Sequence, residues 1–309
     1  MTTYHWKRRA VQVATIFLIV LIPASGLFRI DLTTASFLVL DRQVLWSNFF
    51  LVFGLALITA TAPLLTYMTI GRVWCGWACP QNTVAEWATK LTHKILGKRA
   101  NVDIGSDGLI VAASKNKLLN WIILALSFLG VSMLLAIIPF FYFYPADVVW
   151  SFVTLNVDPK FSRFMNTLYF VFVVAVFLDI AAIRYFWCNY ICLYRIGQLI
   201  FGSKNALHVE YDTRRSEDCA KCNYCSTSCV MGIDPTRFKP TDNCISCGEC
   251  IDACNRLHDK KGASGLLRYD FGEGGTLSAR ILAAVARINL WVVLVFLLGC
   301  AMLLWGLLK

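Results

Sequence analysis

Two copies of the pattern C-x2-C-x2-C-x3-C stand in the second half of the chain, separated by fourteen residues. This is the spacing by which cysteine thiolates hold cubane iron–sulfur clusters, with the fourth cysteine of each copy bound to the other cluster. The pattern therefore predicts two [4Fe-4S] clusters. The first ligand set is Cys219, Cys222, Cys225 and Cys254, and the second is Cys229, Cys244, Cys247 and Cys250.

Disulfides and two zinc sites are the alternatives for eight cysteines. A zinc site usually draws on two C-x2-C pairs, which leaves the third cysteine of each copy without a role. The doubled run therefore favours clusters in a bacterial-type ferredoxin domain. Val230 and Asn255 stand where such runs often have proline, and this changes the local turn rather than the ligand count.

The composition predicts an integral membrane protein around this polar insert. The chain is 58% hydrophobic and 16% charged, with a mean hydropathy of +0.60, which is too apolar for a soluble domain of this length. The net charge of +10 does not indicate nucleic-acid binding, because the basic residues cluster beside the apolar runs. Cysteines at cluster spacing are expected to stay reduced, on a cytoplasmic face.

The apolar runs predict about five transmembrane helices, since roughly 20 apolar residues of helix cross a bilayer. The expected fold is therefore an α-helical membrane protein with an inserted α+β 2[4Fe-4S] ferredoxin domain. A membrane domain at 1–202 has spans near 10–28, 49–70, 118–140 and 164–186. The ferredoxin domain is placed at 203–279 and the fifth span within 280–309. The first run is interpreted as a retained anchor rather than a cleaved signal peptide.

Three segments between the spans complete the predicted topology. Residues 29–47 are expected to form a short loop with an interfacial segment, and residues 141–163 an outer loop rich in aromatic side chains. The basic loop at 71–117 should lie in the cytoplasm. The chain would then be a multi-pass protein of the bacterial inner membrane, with the N-terminus and the ferredoxin domain in the cytoplasm and the C-terminus outside.

A second kind of cysteine motif occurs at the inner ends of two spans. Cys75 and Cys79 form one C-x3-C pair, and Cys188 and Cys192 form another. Each pair has an aromatic residue before its first cysteine and another between the two, so the chain contains a weak internal repeat. Cysteines four residues apart share one helix face. Two such pairs at one depth would offer four soft sulfurs for Cu(I) or an iron–sulfur centre, or would cycle between dithiol and disulfide.

These features resemble a known family. The strings GRVWCGWACPQ and WCNYIC, the doubled cysteine run and the flanks Tyr211-Asp212, Gly232-Ile233-Asp234 and Gly265 to Tyr269 are similar to the FixG/CcoG-type cytochrome c oxidase accessory proteins. The membrane polyferredoxins of the NapH and NosR type are more distant. Unlike FixG-type proteins, the chain is expected to have no C-terminal outer domain.

The resemblance implies a membrane iron–sulfur protein that reduces copper for a respiratory copper oxidase. Cys75, Cys79, Cys188 and Cys192 would then be the catalytic, copper-handling residues of an oxidoreductase. The expected partners are the membrane, a soluble or quinol electron donor and the oxidase assembly machinery. Two alternatives stay open: a quinol-linked subunit that feeds a partner reductase, and an assembly scaffold with structural clusters.

Overall fold

The computed structural model describes residues 3–31, 34–39, 42–97, 110–154, 159–201, 206–219, 221–237, 242–271 and 290–308, with the single residues 100, 102 and 104. The boundaries predicted at 202/203 and 279/280 lie outside these residues. By internal contacts the chain divides into two units. The first unit comprises Met1–Ala14, Phe53–Thr83 and Asn189–Leu304, and the second comprises Thr15–Val52, Val84–Cys188 and Trp305–Lys309.

The described part of the chain is mainly helical. In chain order the helices are α1 (Thr3–Ala24), α2 (Phe49–Thr69), α3 (Val73–Trp77), α4 (Pro80–Leu96), α5 (Leu118–Leu135), α6 (Ile138–Phe143), α7 (Ala146–Val153), α8 (Pro159–Leu178), α9 (Arg184–Phe186), α10 (Leu193–Phe201), α11 (Tyr224–Thr227), α12 (Glu249–His258) and α13 (Leu290–Leu308). The strands are β1 (Phe28–Asp31), β2 (Ser36–Val39), β3 (Arg42–Leu45), β4 (Leu207–Tyr211) and β5 (Leu267–Phe271). Two π-helical turns, Asp179–Ile183 and Trp187–Ile191, flank α9.

Among the described residues, four helical segments are long and apolar enough to cross a membrane: Phe49–Thr69, Leu118–Phe143, Arg163–Phe201 and Leu290–Leu308. Such segments form helices in lipid because a helix satisfies its own backbone hydrogen bonds. The predicted membrane fold with a ferredoxin-type domain is confirmed. The first apolar run is also helical, but α1 begins at Thr3 and includes three basic residues, Lys7, Arg8 and Arg9. A crossing by α1 stays a prediction.

In the first unit, α2 and α13 approach each other closely through glycine. A Cβ atom on Gly54 would lie 2.7 Å from the backbone nitrogen of Leu303 and 2.8 Å from the carbonyl oxygen of Gly299. Small residues at such crossings let helix backbones pack closely, which is the usual basis of helix association in membranes. This contact joins the helix that leads into the first C-x3-C motif to the helix that follows the ferredoxin insert.

The ferredoxin insert lies in the same unit. Strands β4 and β5 pair antiparallel, with Val209 opposite Tyr269. Their apolar faces and α12 form a small core that includes Val209, Ile251 and Leu267, and several cysteines of the two runs pack against it. The fold therefore brings the two cysteine runs together around one sheet and one helix.

The second unit contains the remaining membrane helices. Helices α5 and α8 pack together, and one core cluster includes Ala88, Leu96, Leu124, Phe128 and Ile180. A second cluster is aromatic, with Phe140 stacked on Phe152 at 5.8 Å between ring centroids.

Two expectations about the connecting segments were wrong. Residues 29–47, expected to be a loop, contain a three-stranded antiparallel sheet of β1, β2 and β3. Residues 141–163, expected to be an outer loop, contain α7 and the start of α8. In the first segment Phe37 packs on Phe28 and on Trp46, and in the second Phe152 stacks on Phe140.

Candidate metal centres

The two cysteine runs share one backbone conformation. In each run the second cysteine has a residue with positive φ on either side: Lys221 (48°) and Asn223 (56°) flank Cys222, and Ser246 (50°) and Gly248 (82°) flank Cys247. Left-handed residues between right-handed ones turn successive backbone N–H groups into one concavity, which suits an anionic group such as an iron–sulfur cluster. The repeated spacing in the sequence therefore corresponds to a repeated concave loop.

The cysteines of the predicted first set, Cys219, Cys222, Cys225 and Cys254, line one cavity. Polar and charged residues complete its wall, among them Lys221, Asp234 and Arg237. Cys222 is exposed and the other three are half-buried. This cavity is therefore open to solvent.

The cysteines of the predicted second set, Cys229, Cys244, Cys247 and Cys250, line a different cavity. Its other walls are apolar and include Met231, Ile233 and Ile245. Cys247 and Cys250 are buried, each with 8% of its surface exposed. The two cavities are thus lined by four cysteines each, and the second is the more enclosed.

Backbone amides point at several of these sulfurs. The N–H of Ser246 donates to Sγ of Cys244 at 3.4 Å, and that of Leu266 donates to Sγ of Cys254 at 3.3 Å. Burial raises the pKa of the Cys247 thiol to about 12, while the positive charge of Arg8 and the N–H of Glu249 oppose that rise. Hydrogen bonds to sulfur, burial and nearby charge are the features that set the potentials of iron–sulfur sites.

The donor set fits an iron–sulfur cluster better than a single ion. Each cavity offers four cysteine sulfurs. Among the described residues, no three His, Cys, Asp or Glu side chains are grouped closely enough to hold one metal ion. A zinc site needs four donors at about 2.3 Å from one atom, whereas a cubane separates its thiolates more widely.

The first membrane motif lies between two helices. Cys75 lies in α3. Cys79 lies in the short connection between α3 and α4, directly before Pro80, the first residue of α4. The backbone N–H groups of Gln81 and Asn82 donate to the sulfur of Cys79 and lower its pKa, but burial outweighs them and raises it. Cys79 therefore stands at the N-terminus of α4, where two backbone N–H groups partly offset the effect of burial on its thiol.

The four membrane cysteines are distributed over both units. Cys75, Cys79 and Cys192 belong to the first unit. Gln198, in the helix that follows Cys192, donates to the carbonyl oxygen of Gly71, just before α3, at 2.9 Å. Cys188 belongs to the second unit. The second motif also differs from the first, because Cys188 lies in a π-helical turn and the helical path continues to Phe201.

The first membrane motif packs directly on the loop of the second cysteine set. A Cβ atom on Gly76 would collide with the carbonyl oxygen of Ile245 and lie 3.1 Å from Cα of Cys247. Trp77 donates through Nε1 to the carbonyl oxygen of Ser246 at 3.1 Å. The residues between Cys75 and Cys79 thus contact the residues between Cys244 and Cys247.

Sequence reasoning missed the role of the N-terminal residues. Asp252, which is 1% exposed, accepts from the backbone N–H groups of Tyr4 at 3.3 Å and His5 at 2.8 Å. It therefore caps the start of α1, where free N–H groups favour a carboxylate. Glu249 binds His5 Nδ1 at 2.8 Å. The sequence does show two acidic residues, Glu249 and Asp252, within the second cysteine run. It does not show that they bind the N-terminal residues, because these lie more than 240 positions away.

Two arginines hold the start of the second cysteine run. Arg72 donates to the carbonyl oxygen of Asp242 and to that of Cys244 at 3.4 Å, and Arg195 donates to Oδ1 of Asn243. Arg72 lies at the end of a predicted span, and it also binds the backbone of the loop that carries the first cysteine of the second run.

Comparison with known families adds two matches. The family model described as "4Fe-4S dicluster domain" matches residues 213–272, and the one described as "4Fe-4S binding domain" matches residues 52–99. The first of these covers both cysteine runs. The second covers Cys75 and Cys79.

The chain is also similar to several curated proteins. It is 29% identical to Protein RdxA of Cereibacter sphaeroides over 78% of this chain and 52% of RdxA. It is 28% identical to Nitrogen fixation protein FixG of Rhizobium meliloti over 78% of this chain and 48% of FixG. The Ferredoxin-type protein NapH of Haemophilus influenzae is 26% identical over 65% of this chain and 66% of NapH. The chain thus spans about half the length of RdxA and FixG. No solved structure matches it.

Proposed function

The chain belongs to the membrane polyferredoxins of the FixG/RdxA type, and we propose that it transfers electrons through the ferredoxin insert to the first C-x3-C motif. At that motif, Cys75 and Cys79 would present Cu(II) for reduction to Cu(I), which is then available to a respiratory copper oxidase. The protein would act as a cupric reductase in oxidase maturation.

One observation carries this proposal: the contact between the motif loop and the loop of the second cysteine set. Gly76 has no side chain, and this allows its backbone to pack against Ile245 and Cys247. Trp77 adds a hydrogen bond across the same contact. A group held by Cys244, Cys247 and Cys250 would therefore lie next to the residues between Cys75 and Cys79.

The chemistry of the motif agrees with copper as the substrate. Thiolate sulfur is a soft donor that prefers Cu(I) to harder ions, so binding by Cys75 and Cys79 favours the reduced product. Each Cu(II) takes one electron and needs no proton. The electron comes from a one-electron donor, soluble or quinol, that loads the ferredoxin insert.

We place the ferredoxin insert in the cytoplasm of a bacterium and the C-terminus outside the inner membrane. The N-terminal residues Tyr4, His5 and Arg8 contact α12 of the insert within one unit, which supports a common side for both. Basic residues at 7–9 and in the loop after α2 support the cytoplasm as that side.

The test is reduction of Cu(II) by purified protein whose clusters have first been reduced with dithionite and freed of excess reductant. A Cu(I)-specific chelator reports the product. We expect Cys75→Ser to abolish the rapid phase while the EPR signals of the reduced clusters stay intact. Cys300→Ser, in α13 and outside any motif, is the matched control and should behave as wild type. An unchanged rate in Cys75→Ser rejects the proposal.

A second candidate is an additional iron–sulfur centre at the membrane motif. It is favoured by the "4Fe-4S binding domain" match at 52–99, a range whose two cysteines are Cys75 and Cys79. Cys192 lies in the same unit, and the helix that follows it contacts Gly71, just before α3, through Gln198. Iron beyond the amount that the ferredoxin cysteines hold, lost in Cys79→Ser, would favour this candidate over copper.

The donor can be tested separately. Reduction of the clusters by a quinol analogue would identify a quinol-linked subunit. Reduction by dithionite but not by the analogue would exclude one. Clusters that no physiological donor reduces would instead favour an assembly scaffold.

A further inference from the structure

A buried arginine connects the N-terminal helix to the second cysteine set. The side chain of Arg8 is fully buried. Its Nε donates to the carbonyl oxygen of Gly76 at 2.6 Å, and its Nη1 donates to Oε1 of Glu249 at 3.0 Å. Gly76 lies in the membrane motif and Glu249 lies between two cysteines of the second set. Arg8 thus binds both the membrane motif, through Gly76, and the second cysteine run, through Glu249.

Because Arg8 is buried, its positive charge interacts strongly with neighbouring groups. A charge interacts several times more strongly in a protein interior than in water. Cys247 is buried close to this arginine, because Gly76, whose carbonyl oxygen accepts from Arg8, packs against the backbone of Cys247. The charged residues around the first set, such as Lys221, are solvent-exposed, and salt screens exposed charges.

The two sets therefore differ in their electrostatic surroundings. An iron–sulfur cluster supplies one-electron transfer, and its reduced form carries one more negative charge than its oxidised form. Burial disfavours that added charge, while a nearby cation stabilises it. The second set is the more buried, and two arginines stand beside it: Arg8, which is fully buried, and Arg72, which donates to the carbonyl oxygen of Cys244.

Resting on the proposed electron-transfer function, we propose that Arg8 is a positioning residue that raises the reduction potential at the second cysteine set, Cys229, Cys244, Cys247 and Cys250. Glu249 moderates the effect, because its carboxylate faces the same guanidinium.

The experiment is a mediated redox titration of the iron-loaded, full-length protein, followed by EPR. In Arg8→Gln, one midpoint potential should move to a more negative value and the other should stay at the wild-type value. The EPR signal of the first set is identified as the one that Cys222→Ser perturbs. This signal should be the one whose midpoint potential is unchanged in Arg8→Gln. Lys7→Gln, an exposed neighbour, should change neither potential. Arg8→Lys keeps the charge and should restore most of the wild-type value.

Glu249→Gln is a second variant, for which the reduction potential is expected to shift in the opposite direction. It keeps the proposal testable if Arg8→Gln does not yield protein with its full iron content. Removing the carboxylate should move the same potential to a more positive value. An unmoved potential in both variants, or an equal shift of both signals, would overturn the role of Arg8. Absence of any cluster signal in the wild type would instead reject the proposed function.

Discussion

The indole Nε1 of Trp77 donates a hydrogen bond to the carbonyl oxygen of Ser246 at 3.1 Å. The same oxygen accepts from the hydroxyl of Tyr269 at 2.7 Å, and Tyr4 packs edge-on against both rings. One carbonyl of the second cysteine loop is thus shared by the membrane motif and the ferredoxin sheet. This contact joins the region that we expect to receive electrons to the region that we expect to use them.

Trp77→Phe should weaken this contact. The substitution keeps an aromatic ring but removes the donor, and a hydrogen bond of this kind contributes about 1 kcal/mol. We expect the clusters to bleach at a lower temperature, as measured by visible absorbance on heating. Trp74→Phe changes an exposed residue of the same helix and should leave the transition in place. Equal shifts in the two variants would mean that the Trp77 hydrogen bond has no special role.

Gly76→Ala should separate the two loops. The added methyl group has no room beside Ile245 and Cys247, and overpacking of this kind costs about 1–3 kcal/mol. Slower Cu(II) reduction with unchanged iron content is the expected result. Gly130→Ala is the matched control, since a Cβ atom there meets nothing within 4 Å. Wild-type kinetics in Gly76→Ala would show that the close approach is not needed.

The cysteine runs and the apolar runs could be read from the sequence because each depends on local spacing. The division of Cys229 and Cys254 between the two cavities follows from that spacing alone. The contact of Gly76 with Cys247 could not be read, since it joins residues about 170 positions apart through backbone packing. The burial of Arg8 was hidden for a different reason: a basic residue before an apolar run is expected at a membrane surface.

Gly54→Ala should disturb the crossing of α2 and α13. The new Cβ atom would lie 2.7 Å from the backbone of Leu303, so the helices must move apart and lose packing. We expect a lower melting temperature in detergent and faster proteolysis of the membrane region. Ala60→Leu enlarges an exposed position of the same helix and should have little effect. A melting temperature that falls as far in Ala60→Leu would argue against the crossing.

Arg184→Met should destabilise the second unit. The guanidinium of Arg184 is 2% exposed, donates to the carbonyl oxygen of Ile180 at 2.8 Å and to Oγ1 of Thr92 at 2.9 Å, and lies over the ring of Phe128. Hydrogen bonds to charged groups contribute about 1.5–3 kcal/mol each. Thermal denaturation of the purified protein measures the loss. Arg163→Met, at an exposed position, is the control, and an equally stable Arg184→Met would contradict the structural role.

The π-helical turns at Asp179–Ile183 and Trp187–Ile191 show a limit of the repeat seen in the sequence. Ala78 and Cys79 separate α3 from α4, which starts at Pro80, whereas only Cys192 separates the second π-helical turn from α10, which starts at Leu193. The two motifs look equivalent by residue type but differ in backbone. The turn at Cys79, which stands at a helix N-terminus, is therefore one backbone difference between the two motifs.

The most direct measurement is the iron content of the purified protein together with the EPR spectrum after dithionite reduction. Two clusters in the ligand sets proposed above require about eight iron atoms per chain and two reducible signals. In Cys222→Ser one signal should be lost or altered while the other persists. About four iron atoms with a single signal, or zinc in place of iron, would contradict the account.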